Sequence, residues 1–172
     1  MISLVFTCND MPVSRMIRSA THSVCSHFAI VIDNRIVFHS NFKGAHVEFL
    51  PSFLKHNLIC YQLDLLLTPQ QEEDIYQECL KYDGKPYDFG AFFYLIWCFI
   101  KNKLFKTPFA KQNLWSDRDY VMCVELAKIL QVIGIDIKDL DLYLPQNLYS
   151  NLRLKIAQKG LLLDGKAWPG SN

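Results

Sequence analysis

The chain has 172 residues, 51% of them hydrophobic and 20% charged, and 18 basic against 17 acidic side chains leave a formal charge of +1. That composition excludes intrinsic disorder, and without a basic excess a nucleic-acid partner is not expected. A chain of this length buries about 70% of its unfolded surface and needs no staple, so residues 1–160 read as a single domain and 161–172 as a tail that is loose or docked by Trp168.

Ile2 to Thr7 is a β-rich apolar run and a first strand. Pro12 to Thr21 places Val13, Met16, Ile17 and Ala20 at helical spacing, with Pro12 in the first turn. His27 to Ile32 and Ile36 to Ser40 form a hairpin across Asp33-Asn34-Arg35. Ala45 to Leu50 and Leu58 to Leu66 are further strands. Thr68, Pro69 and Gln71 open a helix as N-cap, first-turn proline and capping-box partner, and it runs to Tyr82 before Asp83-Gly84. A loop, Gly84-Lys85-Pro86-Tyr87-Asp88, leads to an aromatic helix from Asp88 to Phe105. Pro108 to Trp115 reads as irregular. Ser116 with Asp119 resembles a capping box for a helix ending at Gly134, and Leu148 to Ile156 is a last short helix. Early strands and late helices define an α+β protein, an antiparallel sheet with helices packed on one side.

The apolar run Phe89–Ile100 is 12 residues long by its numbering, too short for a bilayer span of about 20. It predicts a half-buried helix, with a membrane surface or a partner as the alternative contact. The start, MISLVFTCND, lacks the basic region and the apolar length of a signal peptide. None of the six cysteines, Cys8, Cys25, Cys60, Cys79, Cys98 and Cys123, sits in a Cys-x-x-Cys pair, so reduced, mostly buried thiols in a cytoplasm are expected.

Cys123 is the first candidate for chemistry. In Tyr120 to Gln131 the polar residues Glu125, Lys128 and Gln131 recur as a solvent stripe, and Cys123 lies about 200° from Glu125 on a helix. It therefore points inward, near a helix N-terminus, where dipole and unpaired N–H groups lower a thiol's pKa. A plain core cysteine is the competing reading. His27 and His39 lie on the two hairpin arms. A two-residue turn would send their side chains to opposite faces, whereas a three-residue turn pairs Ala29 with His39 and puts both on one face. A thiolate needs a base, and the base a group that fixes its tautomer: Cys123, His27 and His39 can fill these roles in that order. His22, His46 and His56 fall near element ends and read as surface residues. No ligand spacing supports a metal site, and no cofactor is expected.

The order SHFAIVI, VFHS, GAHVEFL, GKPYD, DYVMCVELAKIL resembles the permuted NlpC/P60 papain-like hydrolases, a group that includes YiiX-like bacterial and phage proteins and lecithin:retinol acyltransferase-like enzymes. Ser26-His27 matches the strand opening, and His39 the polar position on the next strand. Cys123-Val124-Glu125-Leu126 matches the Cys-Ser-Glu-Leu helix, with Val124 in place of serine. Histidine before cysteine marks the permuted order. The resemblance implies a circularly permuted papain-like fold and a Cys123–His27–His39 triad that forms an acyl-enzyme. The backbone N–H of Cys123 and the hydroxyl of Tyr87 are candidate oxyanion donors. It also implies a peptide, cell-wall or lipid substrate. Amide or peptide hydrolysis, for instance of a peptidoglycan stem peptide, is the leading reading. Lipid acyl transfer or thioester hydrolysis is the second, and a silent binding or structural module, such as a virion component if the chain is of phage origin, the third.

Overall fold

The seven residues Ile2–Cys8 are all buried and form β1, an inner strand of an antiparallel sheet ordered β4-β3-β2-β1-β5-β6. The computed structural model describes residues 1–106, 119–137 and 144–167. After β1 come α1 (Pro12–Thr21), β2 (His27–Ile32), β3 (Ile36–Asn41), β4 (Gly44–Phe49), α2 (Leu50–Leu54) and β5 (Leu58–Leu65). They are followed by α3 (Pro69–Tyr82), α4 (Phe89–Phe105), a 3-10 helix (Cys123–Ile133), α5 (Pro145–Gln158) and β6 (Leu162–Ala167). The molecule is α+β, as the distribution of strands and helices implies.

Alternation along the strands divides the core in two. Leu4, Phe6, Phe28, Ile30 and Phe38 face the larger cluster, which holds Ile75 of α3, Leu126 and Ile129 of the 3-10 helix, and Leu152 and Ile156 of α5. Val5, Ala29, Val31 and Val37 face the other way and pack on Phe53 of the short helix α2. That helix was not expected from the sequence: Leu50 ends no strand but begins α2, with Pro51 in its first turn.

The β2–β3 turn has three residues. Ile32 pairs with Ile36 and Ala29 with His39, and Asp33 and Asn34 both take left-handed backbone angles, with φ 53°. The odd count is the condition for His27 and His39 to share a face, and it is met.

α3 begins at the Thr68 cap, where Gln71 N–H donates to Thr68 Oγ1 and Thr68 N–H to Gln71 Oε1. The expected cap of the Cys123 helix is different. Ser116 lies outside the described residues, as do Pro108 to Trp115 and Trp168, and the residue preceding the helix is Met122. Part of the expected tail is also structured: Leu162–Ala167 pairs with β5 as an edge strand. Among the described residues, no helix is long and apolar enough to cross a membrane.

Candidate active site

The Gly84–Asp88 loop ties the site together. Ala45 N–H donates to Lys85 O at 2.8 Å and Gly84 N–H to Ala45 O at 2.9 Å, which fixes the loop to β4. Val121 N–H donates to Pro86 O at 2.9 Å, and Tyr87 and Val121 form a parallel bridge. Ser40 of β3 adds a buried hydroxyl bond to Val121 O at 2.9 Å. Cys123 follows two residues later, as the first residue of its helix. Gly44 makes the close approach possible: it sits at φ +100°, and a Cβ there would run into the Lys85 carbonyl.

Cys123 is half-buried, and the backbone N–H groups of Phe28, Val124 and its own residue act to lower the pKa of its thiol. Those donors favour a thiolate, but burial outweighs them and pushes the thiol up to about 11. The expectation of a helix-lowered thiol pKa is therefore reversed here, because desolvation outweighs the nearby N–H groups. The solvent stripe also needs correction. Gln131 is exposed and Lys128 half-buried, but Glu125 is buried, because its carboxylate folds back to accept Met122 N–H at 2.7 Å.

His27 opens β2 and reaches across to β3, where its Nε2 lies 3.2 Å from His39 Nδ1. The rings meet edge to face, 5.4 Å between centroids. His39 is 3% exposed and packs on Phe53. Desolvation, with like-charged histidine neighbours, pushes His27 down to about 3 and His39 down to about 4. Both imidazoles are thus neutral near pH 7. His22 and His56 are exposed, in keeping with their reading as surface residues.

His46 is not a surface residue, and Glu48 was missed. The β3–β4 register sets His46 opposite His39, with rings 4.4 Å apart, and puts Glu48 two residues on along the same face. Glu48 Oε2 stands 3.3 Å from His39 Nε2. A bond from Ser52 Oγ at 2.6 Å, together with the His39 ring, holds the carboxyl below its usual pKa. One nitrogen–oxygen pair thus links a carboxylate, His39 and His27 in a row. The donor atoms of His39, His46 and Glu48 all lie within 4.8 Å of one another. This set is made by cross-strand register, which sequence spacing does not show. The alternating His46-x-Glu48 on a strand beside His39 was the available signal.

Cys123, His27, His39, His46, Glu48 and Tyr87 line one cavity of about 650 Å³. Its walls are mainly apolar, with Val13 and Ile17 from α1, Phe53 from α2, and Phe92, Leu95, Ile96 and Phe99 from α4. Among the described residues no hydrogen bond joins Cys123 Sγ to His27. Tyr87 packs its ring against Phe42, Phe89 and Phe92, and burial raises its phenol pKa, with the charge of Cys123 adding to the effect.

The chain is thus an α+β protein with a thiol and two linked imidazoles in one cavity at the β3–β4 end of its sheet. Among solved structures it is similar to the metalloprotein YiiX from Escherichia coli O157:H7, with a TM-score of 0.53 and 22% identity over 98% of this chain and 88% of that one. The two share a fold. No family model matches the sequence, and no curated protein matches it.

Proposed function

We propose that the protein is a thiol acyl hydrolase or acyltransferase of the permuted papain-like type, with Cys123 as nucleophile, His27 as base and His39 as the group that orients it. The observation that carries this reading is the 3.2 Å contact between His27 Nε2 and His39 Nδ1 in a cavity that Cys123 also lines. With the His39 proton assigned to Nε2, the nitrogen 3.3 Å from the Glu48 carboxylate, His39 Nδ1 accepts from His27 Nε2–H. His27 Nδ1 then keeps the lone pair and is the atom that can take a proton from Cys123. Glu48 supplies the negative charge that a neutral His39 lacks.

Burial keeps thiol and imidazole neutral at rest. The sulfur therefore loses its proton to His27 Nδ1 as the bond to the carbonyl carbon forms, with no ion pair beforehand. The oxyanion accepts from Cys123 N–H and Tyr87 Oη–H. Collapse expels the leaving group with the proton from His27, and water or another acceptor then takes the acyl group from sulfur.

The apolar cavity favours a lipid acyl chain over the amide or peptide substrate that leads the sequence reading. α4 supports the same choice. Phe92, Leu95, Ile96 and Phe99 line the cavity, while Phe89, Phe93, Trp97, Ile100 and Leu104 form an exposed apolar stripe on the adjacent side of the same helix, about 100° round. A helix whose apolar surface continues from the pocket wall onto the exposed side suits a substrate drawn from a lipid surface.

The test is intact-mass detection of an acyl-enzyme with p-nitrophenyl esters of increasing chain length and with a muropeptide mixture. Adducts on wild type and on Cys60→Ala, but none on Cys123→Ala, support the nucleophile, and equal adducts on all three refute it. Adducts from long-chain esters alone select the lipid substrate. Adducts from muropeptides alone select the amide.

A further inference from the structure

We propose that His39, His46 and Glu48 form a binding site for a borderline transition-metal dication such as Zn²⁺, and that its occupancy switches off the Cys123 thiol. The site needs no assumption about catalysis; its effect on Cys123 rests on the thiol reading above.

Three observations build the site. First, His39 Nε2 is buried and has no hydrogen-bond partner of good geometry, although Glu48 Oε2 stands 3.3 Å away. That separation is already about the ligand–ligand edge of a tetrahedral centre with bonds near 2.0–2.1 Å. Second, the remaining ring nitrogen is free to close the triangle: His46 Nδ1 lies 3.0 Å from the carbonyl of Gly44 and donates to it, which turns its Nε2 lone pair outward as a ligand. Third, each ligand has a supporting partner. Gly44 O holds His46, Ser52 Oγ holds the far oxygen of Glu48, and His27 holds His39. Two imidazoles and one carboxylate suit Zn²⁺, Co²⁺ or Ni²⁺, and they do not suit Mg²⁺ or Ca²⁺. The residues border the cavity, so a solvent molecule can complete the coordination.

The effect on Cys123 follows from proton bookkeeping. A metal on His39 Nε2 takes the lone pair of that nitrogen, so the imidazole proton must sit on Nδ1. His39 Nδ1–H then donates to His27 Nε2, and the proton of His27 moves to its Nδ1. No proton is lost from the two rings, but the atom that received the thiol proton now carries one of its own. The same histidine pair therefore serves the thiol when metal-free and blocks it when metal-bound.

The experiment uses full-length protein stripped with a chelator and titrated with Zn²⁺ and Co²⁺. Expected results are one metal per chain by elemental analysis after gel filtration and a Co²⁺ spectrum without thiolate charge-transfer bands. Cys123→Ser should retain the stoichiometry, and His46→Ala and Glu48→Gln should lose it. Iodoacetamide alkylation of Cys123 should slow at least tenfold on Zn²⁺ addition in wild type and show no Zn²⁺ dependence in His46→Ala. Absence of 1:1 binding, or binding that survives both ligand variants and fails in Cys123→Ser, overturns the site. Binding without any change in alkylation overturns the switch alone. Inactivity of metal-free protein on every acyl substrate would instead count against the catalytic reading and leave the binding result standing.

Discussion

At the scale of single residues, the site is a line of atoms in which each hydrogen position depends on the next. On the proposed mechanism His27 is the proton acceptor, so His27→Ala should lower kcat/KM by about 10²–10⁴, measured with the best ester substrate and chelator present. Glu48→Gln leaves the chain of contacts in place but removes its charge, and a loss of about tenfold, roughly 1.4 kcal/mol, is expected. An effect as large as that of His27→Ala would mean that Glu48 acts on substrate directly. The histidines also set an acid limit on folding. Their folded values, about 3 for His27 and about 4 for His39, lie below the 6.5 of a free imidazole. The unfolded chain therefore binds protons more readily. Stability is fully present above about pH 6.5 and is lost as pH falls toward 4 and then 3. Urea midpoints measured with chelator should fall across that window in wild type and fall less steeply in His27→Gln. Equal slopes would show that neither imidazole is held neutral by the fold.

At the scale of elements, most of what places the site was legible and part was not. β1, β2, β3, α1, α3 and α4 follow from apolar periodicity and from caps that local sequence can supply, such as Thr68 with Gln71. The three-residue turn was legible as a condition: the sequence shows that only an odd count puts His27 beside His39, and the fold meets that condition. Glu48 and His46 were not legible as partners, because their importance comes from a register between strands and their own segment reads only as polar alternation. Glu125 was misread for a related reason, since its place in a polar stripe says nothing of a side chain that turns back to cap its own helix. β6 was hidden by its glycine and charges, Gly165, Asp164 and Lys166, which have low strand propensity and pair there because β5 offers an open edge. The link from β4 to the loop before the cysteine helix gives an element-scale prediction. Gly44→Ala should cost more than about 2 kcal/mol, because it combines a strained φ with a backbone clash. Chemical denaturation measures it. A change within 0.5 kcal/mol, roughly that of a neutral surface substitution, would show that the strap is slack.

At the scale of the whole molecule, Cys123 and the histidines come from segments far apart in sequence and line one apolar hollow that α4 borders. The outer stripe of that helix, Phe93 and Trp97 at its centre, is 56% and 45% exposed. With a lipid substrate, Phe93→Asp combined with Trp97→Asp should raise KM for vesicle-borne ester and leave turnover of a short soluble ester within about twofold. Co-sedimentation with vesicles should fall in parallel. Equal loss on both substrates would assign the stripe to folding.

The turn between β3 and β4 is only Phe42-Lys43, and β4 lies at the margin of the sheet. Adding one amino acid there would rotate the whole strand by half a pleat. His46 and Glu48 would swing away together, while the hairpin that carries His27 and His39 would be untouched. The cost would fall at Gly44 and Ala45, whose contacts with the Gly84–Asp88 loop would be lost, and not at Val47 and Phe49, which already face water. A length change of one unit can thus uncouple the carboxylate arm from the imidazole pair without altering any side chain, a separation no point substitution achieves.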